Sequence, residues 1–197
     1  MLEGDIKPVH CWTPATVNIH HEKEARRVVE STVKAGILEE VSWPSPWCSH
    51  SFFVEKAGSP GKLRLVTDFK NVNRVLKRPG WPFPSADKVR KSLDPSDRCF
   101  LKVDLVEGYH QVEIREEDRD LTTTILPWGK FRYTCLPMGL CPSSDHFCHR
   151  TDSAIRSVKG VLKIVDDCLG GASDVTALRE KLEQLLGVCR KHNLKIS

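Results

Sequence analysis

The hydrophobic and polar positions of the chain repeat with two periods, one typical of helices and one typical of strands. In "HHEKEARRVVESTVKAG" the apolar positions recur every three or four residues, which predicts an amphipathic helix ending at Gly36. From Val175 to Cys189 they step in the same way, which predicts a second helix capped near Ser173. A third helix is predicted over "SSDHFCHRTDSAIRSV".

Several shorter segments alternate with period two or are bounded by turn residues, as strands are. A strand is predicted at Ser51–Glu55, and "AGSPG" joins it to "KLRLVTDF" in a hairpin. "LTTTILPWGKFRYTCLP" predicts two strands joined at Pro127–Lys130. "VLKIVDDCLGG" predicts a tight hairpin with two aspartates at its turn. The order is mixed, so the sequence predicts an α+β fold of antiparallel strands backed by helices.

One predicted strand, "CFLKVDL", separates its apolar and polar residues between two faces. Period two places Leu101, Val103 and Leu105 on one face, and Asp104 on the other. The carboxylate of Asp104 is therefore expected on the open face of a sheet, at the end of a strand.

Composition narrows the class of protein without choosing its function. The chain has 197 residues, 40% of them hydrophobic and 28% charged, with a net charge of +4. These values are ordinary for a globular protein, and no apolar run is long enough for a membrane helix, so no membrane partner is expected. The eight cysteines show no C-x-x-C pair, which indicates reduced thiols inside a cell. A zinc site is disfavoured because the candidate ligands are irregularly spaced: Cys135, Cys141, His146, Cys148 and His149.

The adjacent carboxylates of Asp166 and Asp167 have two explanations at this stage. Asp-Asp is acceptable turn chemistry in a hairpin. Alternatively, a hard divalent cation such as Mg²⁺ removes the repulsion between them. If Asp104 lies in the same sheet, three carboxylates converge, as needed to hold two metals about 3.5–4 Å apart for phosphoryl transfer. The pattern alone does not choose between a turn and a metal site.

Three motifs, in order and spacing, resemble the reverse transcriptase domain of gypsy-type LTR retrotransposons. They are "FLKVDLVEGYHQVEI", "TTTILPWGKFRYTCLPMGL" and "IVDD", and the similarity runs from about Val17 to Ser197. The resemblance implies a right-hand polymerase fold with fingers and palm. It implies fingers at 19–84 and a palm at 85–197, with fingers-like strands interrupting around 112–135 and no thumb. Residues 1–18 are rich in Pro and Thr, which predicts an extended arm. The palm sheet is expected to be antiparallel and backed by helices.

The resemblance also assigns roles to individual residues. It implies that Asp104, Asp166 and Asp167 are catalytic ligands of two Mg²⁺ ions. The other implied contacts are to the incoming nucleotide: Arg64 and Lys56 at the triphosphate, Tyr109 beneath the sugar and Met138 in the pocket. Without the motifs, the favoured explanation of Arg64 is an exposed strand residue, and Tyr109 is equally an ordinary core aromatic. Five basic side chains between positions 62 and 78 fit either a template track or a solvated face: Lys62, Lys70, Arg74, Lys77 and Arg78.

Two functions from different classes are therefore expected. The first is an RNA-directed DNA polymerase domain that adds deoxynucleotides to a primer 3′-OH on an RNA or DNA template. Its partners would include deoxynucleoside triphosphates and the thumb, RNase H and integrase of a Pol polyprotein, in the cytoplasm or a virus-like particle. The second is a decayed or domesticated remnant that keeps the fold and binds nucleic acid without polymerising. The altered "LPMGLCPSS" and the missing thumb favour the remnant, whereas the intact aspartate triad favours polymerase ancestry. The departures from the family pattern are Ile164 in place of Tyr, which need not abolish the chemistry, Ser143-Ser144 in place of Ala-Pro, and Cys148 in place of Gln.

Overall fold

The computed structural model describes residues 7–8, 10–91 and 93–197. The helices are α1 (Glu22–Lys34), α2 (Lys70–Asn73), α3 (Ala86–Lys91), α4 (Glu116–Arg119), α5 (Ser143–Ile155) and α6 (Val175–Lys191). The strands are β1 (Leu38–Glu40), β2 (Ser49–Glu55), β3 (Leu63–Asp68), β4 (Cys99–Asp104), β5 (Thr124–Leu126), β6 (Gly129–Tyr133), β7 (Val161–Ile164) and β8 (Asp167–Ala172). Short 3₁₀ turns lie at Ile19–His21, Gly108–Gln111 and Asp120–Thr122.

The chain divides into two compact units, each made of two segments. The first unit contains the described residues up to Arg78 together with Val112–Ser143, and the second contains Pro79–Gln111 with Ser144–Ser197. The sequence boundary between fingers and palm was predicted at 84/85, with an interruption around 112–135. The observed divisions lie at 78/79, 111/112 and 143/144. The assignment of the two units as fingers and palm stays a prediction.

The first unit is built on a five-stranded sheet in the order β1-β6-β5-β2-β3. The predicted hairpin of β2 and β3 is present, with Glu55 opposite Leu63, and so is the hairpin of β5 and β6. Helix α1 packs against β1 and β3 through its apolar stripe, where Ala25 and Val29 are buried. Gly36, at φ +71°, follows the helix in the left-handed conformation that glycine adopts without a Cβ clash.

Two features of this sheet were not expected. Strand β1 was missed because three residues, "LEE", are too few to show an alternation. Strands β2 and β5 pair in parallel, with Ser49 opposite Thr124, although the sequence suggested antiparallel strands. The two strands are distant in sequence, so no local turn motif could reveal their pairing.

The second unit is built on a three-stranded antiparallel sheet in the order β4-β8-β7. Helix α6 packs on β4 and β8, and its N-cap is Asp174, one residue after the predicted Ser173. The two faces of β4 differ as the alternation predicts: Leu101, Val103 and Leu105 are buried, whereas Asp104 is exposed. The sheet therefore has a covered face and an open face, and Asp104 lies on the open one.

The predicted N-terminal arm is only partly within the described residues. From residue 10 to Asn18 it contains no helix or strand, and His10 forms an isolated parallel bridge with Cys48. Positions 1–6 and 9 of the predicted arm lie outside the described residues. All eight cysteines are described, and each is a free thiol. Among the described helices, none has the length and apolar character needed to cross a membrane.

Candidate active site

Three aspartates come together at one end of the three-stranded sheet. Strands β4 and β8 pair so that Asp104 lies directly opposite Asp167. Asp166 precedes Asp167 in the loop, and its carbonyl accepts a hydrogen bond from the amide of Leu105 at 2.9 Å. Asp104, Asp166 and Asp167 are called the carboxylate cluster below. The condition that the sequence analysis set, that the two motifs share a sheet, is met by the strand register.

The loop that carries Asp166 is as short as a hairpin loop can be. Ile164 pairs with Asp167, which leaves Val165 and Asp166 as the aspartate turn. Two-residue hairpins favour positive φ in the loop, and Val165 has φ +51°. A β-branched residue in this region is strained, so the surrounding contacts must hold it there.

The carboxylate of Asp166 lies in an unfavourable electrostatic environment. Its Oδ1 atom is buried and has no hydrogen-bond partner among the described residues. Burial raises the pKa of Asp166, the charges of Asp104 and Asp167 raise it further, and Lys163 opposes them. A buried, partnerless carboxylate oxygen beside two other carboxylates has the donor chemistry that suits a hard divalent cation.

The carboxylate cluster is nevertheless not a preformed metal cage. Within the described part of the chain, no group of three or more His, Cys, Asp or Glu side chains is close enough to hold a metal ion. Lys102 Nζ lies 3.2 Å from Asp167 Oδ1, and both side chains are largely exposed. The residues therefore fit a cation by their chemistry, but the side chains are not arranged to surround one, and Lys102 is paired with Asp167.

Tyr109 lies close to the carboxylate cluster because Gly108 lets the chain approach it. A Cβ atom on Gly108 would lie 2.7 Å from Phe147 Cζ and 3.3 Å from Asp166 Oδ1. The ring of Tyr109 packs edge-on against Phe147 with centroids 5.3 Å apart, and its hydroxyl is 3.2 Å from Ser144 Oγ. Tyr109 is half-buried, so its ring is held on one side and accessible on the other.

The other nucleotide-binding candidates lie in the first unit. Arg64 is exposed on β3, and Lys56 is exposed at the end of the β2–β3 hairpin, where its amide donates to Lys62 O at 2.8 Å. Met138 is 51% exposed in the segment that follows β6. Asn73 holds this segment by donating to Gly139 O and accepting from the amide of Cys141, each at 2.8 Å. The roles of Arg64, Lys56 and Met138 stay predictions.

Sequence reasoning missed a buried ion pair beneath the aspartate turn. Lys163 Nζ lies 2.9 Å from Asp152 Oδ1, and the side chains are only 4% and 18% exposed. An indication was present in the sequence, because period two places Lys163 on the same inward face as Val161. A lysine at such a position is buried only when a partner is available.

The comparisons with known proteins identify the fold and the family of the chain. A foamy viral protease–reverse transcriptase solved in complex with dsDNA matches all of the present chain and 40% of the foamy viral chain. Its TM-score is 0.86 at 19% identity. A structure of the foamy viral protease–reverse transcriptase in complex with an RNA/DNA hybrid matches 97% of the present chain and 25% of the foamy viral chain. Its TM-score is 0.83 at 18% identity. At these identities the likeness shows the fold, which confirms the predicted fingers-and-palm fold of mixed helix and sheet.

The sequence profile decides the family. The profile described as "Reverse transcriptase (RNA-dependent DNA polymerase)" matches residues 54–197. The chain belongs to the reverse transcriptase family. Among curated relatives, the Retrovirus-related Pol polyprotein from transposon 412 of Drosophila melanogaster is 30% identical over 88% of the chain. The corresponding polyprotein from transposon gypsy of the same organism is 32% identical over 72% of the chain.

This reverse transcriptase chain spans 14% of the length of each of these two polyproteins. The predicted resemblance to gypsy-type elements is confirmed. The profile covers β4, the aspartate turn and α5, so the departures at Ser143-Ser144, Cys148 and Ile164 all lie inside the matched region. They therefore belong to a recognisable reverse transcriptase domain.

Proposed function

We propose that this chain supplies the fingers and palm of an RNA-directed DNA polymerase that adds deoxynucleotides to a primer 3′-OH. The observation that carries the proposal is the carboxylate cluster. It places Asp104 opposite Asp167 and leaves Asp166 Oδ1 buried without a hydrogen-bond partner. A site of this kind is costly to the folded protein, and a bound cation offsets that cost.

Asp104, Asp166 and Asp167 would hold two Mg²⁺ ions. Bound there, the ions supply Lewis-acid stabilisation of the attacking and leaving oxygens. The chain's own residues contribute the rest. Gly108 leaves room beside Asp166, and the edge-on packing of Tyr109 on Phe147 fixes a flat ring near the cluster. A ring held beneath the sugar excludes a 2′-hydroxyl by steric clash, which favours deoxynucleotides.

Arg64, Lys56 and Met138 are proposed to contact the incoming deoxynucleoside triphosphate. A guanidinium such as that of Arg64 suits bidentate contact with phosphate oxygens. RNA or DNA template with primer is the proposed macromolecular partner, together with the thumb, RNase H and integrase parts of a Pol polyprotein. The foamy viral relative has been solved with both kinds of duplex. We also propose that the protein acts in the cytoplasm or within a virus-like particle.

One observation favours the alternative function, a remnant that binds nucleic acid without polymerising. Lys102 already pairs with Asp167, and no preformed metal cage exists among the described residues. If that ion pair persists in solution, it competes with metal for the same oxygen.

Single-nucleotide incorporation separates the two functions. The experiment uses the 197-residue chain at low salt, because duplex contacts to basic side chains weaken steeply as salt rises. Incorporation that requires Mg²⁺ and is lost in Asp166→Asn supports the polymerase. Duplex binding with no incorporation, unchanged by Asp166→Asn or by chelation, supports the remnant. Full incorporation by Asp166→Asn would overturn the assignment of the carboxylate cluster.

A further inference from the structure

Lys163 links the aspartate turn to the interior of the second unit. Lys163 lies on β7 with its side chain buried, and its Nζ lies 2.9 Å from Asp152 Oδ1. The same atom donates to Val165 O at 2.7 Å and to Cys148 Sγ at 3.3 Å. Nζ also lies 5.1 Å from the centroid of the Phe147 ring. One ammonium group therefore contacts three residues of helix α5 and one residue of the aspartate turn.

Asp152 is anchored in turn by a residue outside α5. Its second oxygen, Oδ2, accepts a hydrogen bond from Trp81 Nε1 at 2.8 Å. The backbone amide of Trp81 donates to Asp145 Oδ1, also at 2.8 Å. Asp145 and Asp152 lie seven positions apart on α5, two helical turns along one face, so Trp81 is held at two points. Both oxygens of Asp152 are thus engaged and its position is fixed.

The contact with Val165 places the ammonium directly behind the residue that carries the strain. Val165 has φ +51°, and its carbonyl is the one that Lys163 holds. The next residue is Asp166, whose own carbonyl accepts the Leu105 amide at 2.9 Å. The turn is therefore fixed from two sides, by Lys163 beneath it and by β4 beside it.

Stability alone does not account for a buried ion pair. Replacing such a pair with apolar residues of similar size is often neutral or stabilising, because desolvating two charges offsets their attraction. Lys163 and Asp152 add no net charge as a pair, although the charge of Lys163 lowers the pKa of Asp166. Besides that charge, Lys163 adds a fixed donor aimed at the carbonyl of Val165.

We propose that the Asp152–Lys163 ion pair is a positioning device that holds the aspartate turn in the conformation from which Asp166 binds a divalent cation. The proposal rests on the proposed function, because it requires that Asp166 binds metal. It assigns Lys163 and Asp152 as positioning residues, with Trp81 fixing Asp152. None of the three touches the metal or the substrate.

The test is a double variant, Asp152→Leu with Lys163→Met, in the 197-residue chain. The double variant keeps the net charge and leaves no unpaired buried charge, but it removes the donor to Val165 O. The matched control removes an exposed ion pair of the same unit, Arg179 and Glu183 on α6, as Arg179→Met with Glu183→Leu. The general effect of losing an ion pair appears in both, whereas the lost charge of Lys163, which acts on Asp166, appears only in the double variant. The hydrogen exchange of the turn is therefore the readout of the lost donor.

Two measurements report on the turn. Mn²⁺ binding, followed by the electron paramagnetic resonance of the free ion, is expected to weaken roughly ten-fold or more, the scale of outer contacts in metal sites. Hydrogen exchange of the Leu105 amide, which bonds Asp166 O, is expected to accelerate. Exchange of the Arg98 amide, which bonds Ala172 O at the far end of the same strand pair, should not change.

The outcomes separate the positioning role from the proposed function. Unchanged Leu105 exchange and unchanged Mn²⁺ affinity in the double variant would overturn the positioning role. Equal Mn²⁺ binding by the unaltered chain and by Asp166→Asn would overturn the metal-binding function, and with it the metal half of this proposal. Faster Leu105 exchange and weaker Mn²⁺ binding in the double variant only, with the control unchanged, would support it.

Discussion

Each of the two sheets holds a cluster of polar side chains, but the hydrogen bonds of the two clusters are satisfied differently. In the five-stranded sheet, Ser51 Oγ lies 2.5 Å from both Thr67 Oγ1 and Thr124 Oγ1, and Thr67 Oγ1 lies 2.9 Å from the Tyr133 hydroxyl. These four residues are called the hydroxyl cluster. In the three-stranded sheet, the carboxylate cluster leaves Asp166 Oδ1 without a partner in the described residues.

The two clusters differ in whether they need a bound ligand to satisfy their polar atoms. The hydroxyl cluster is neutral and its members donate to and accept from one another, so it ties β2, β3, β5 and β6 together without a ligand. The carboxylate cluster is charged and cannot satisfy itself, because carboxylates only accept. The first contributes to stability, whereas the second is costly to the folded protein until a cation arrives.

The largest expected effect comes from Asp166→Asn. Nucleotide incorporation should fall at least about 100-fold, the scale of losing one preorganised electrostatic contact in a transition state. The free energy of unfolding in the absence of metal should not fall, because the substitution removes a repelled, buried charge. Incorporation kinetics and urea unfolding in EDTA measure the two. A large loss of stability would mean that Asp166 is a structural turn residue like those of the hydroxyl cluster.

Tyr109→Ala should change the choice of sugar more than the rate. We expect the ratio of deoxynucleotide to ribonucleotide efficiency to fall roughly ten-fold or more, since a steric exclusion of this size is removed. Tyr109→Phe is the control: it keeps the ring on Phe147 and loses only the contact with Ser144. An unchanged ratio in Tyr109→Ala would show that the ring only fills space.

Gly108→Ala should affect both stability and activity. The added methyl would meet Phe147 Cζ at 2.7 Å, and overpacking of this kind costs about 1–3 kcal/mol of unfolding free energy. Displacement of Phe147 also moves the surface on which Tyr109 packs, so incorporation should slow. Gly187→Ala on α6 is the matched control, since nothing lies within 4 Å of its Cβ position. It should stabilise the helix by roughly 0.5–1 kcal/mol.

Ser51→Ala should do the opposite of Asp166→Asn. The hydroxyl of Ser51 joins two threonines, and its loss should lower the free energy of unfolding by about 1–2 kcal/mol. Incorporation per folded molecule should stay the same. Ser31→Ala on the exposed side of α1 is the control and should change neither quantity. If incorporation by folded Ser51→Ala fell as well, the two clusters could not be treated as independent.

The smallest expected effect is the contribution of Asp166 to the pH dependence of the free energy of unfolding. The pKa of Asp166 is raised in the folded protein, so the folded state binds more protons than the unfolded state above the ordinary carboxyl pKa. Stability without metal should therefore decrease as pH rises from that value through the raised pKa. Unfolding at several pH values in EDTA should show this contribution in the unaltered chain and in Ser51→Ala. The contribution should be absent in Asp166→Asn.

The parts that the sequence predicted are those set by local pattern. The alternation around Asp104, the turn at Asp166 and the apolar steps of α6 were all readable along the chain, and the register of β4 with β8 joined the first two. The parallel pairing of β2 with β5 was not readable, because it depends on residues far apart in sequence. The Asp152–Lys163 pair depends in the same way on a helix and a strand meeting in the folded protein.

The departures from the family pattern show a second limit of prediction from sequence. Ser144 and Cys148 depart from the pattern that the resemblance implies, and the sequence alone could only mark them as changes. In the structure, Ser144 contacts the hydroxyl of Tyr109 and Cys148 accepts from Lys163. These hydrogen bonds depend on partners that pattern and spacing do not identify.

The pairing of Asp104 with Asp167 also has a consequence for how the protein is made. Asp167 follows Asp104 by 63 positions, and the intervening Val112–Ser143 segment belongs to the other unit. At a synthesis rate of about 5–20 residues per second, β4 emerges roughly 3–13 s before the strand that completes it. During that time its apolar face and its backbone edge are both unpaired. A ribosome that pauses within this interval would prolong the exposure of β4 to aggregation and to chaperones.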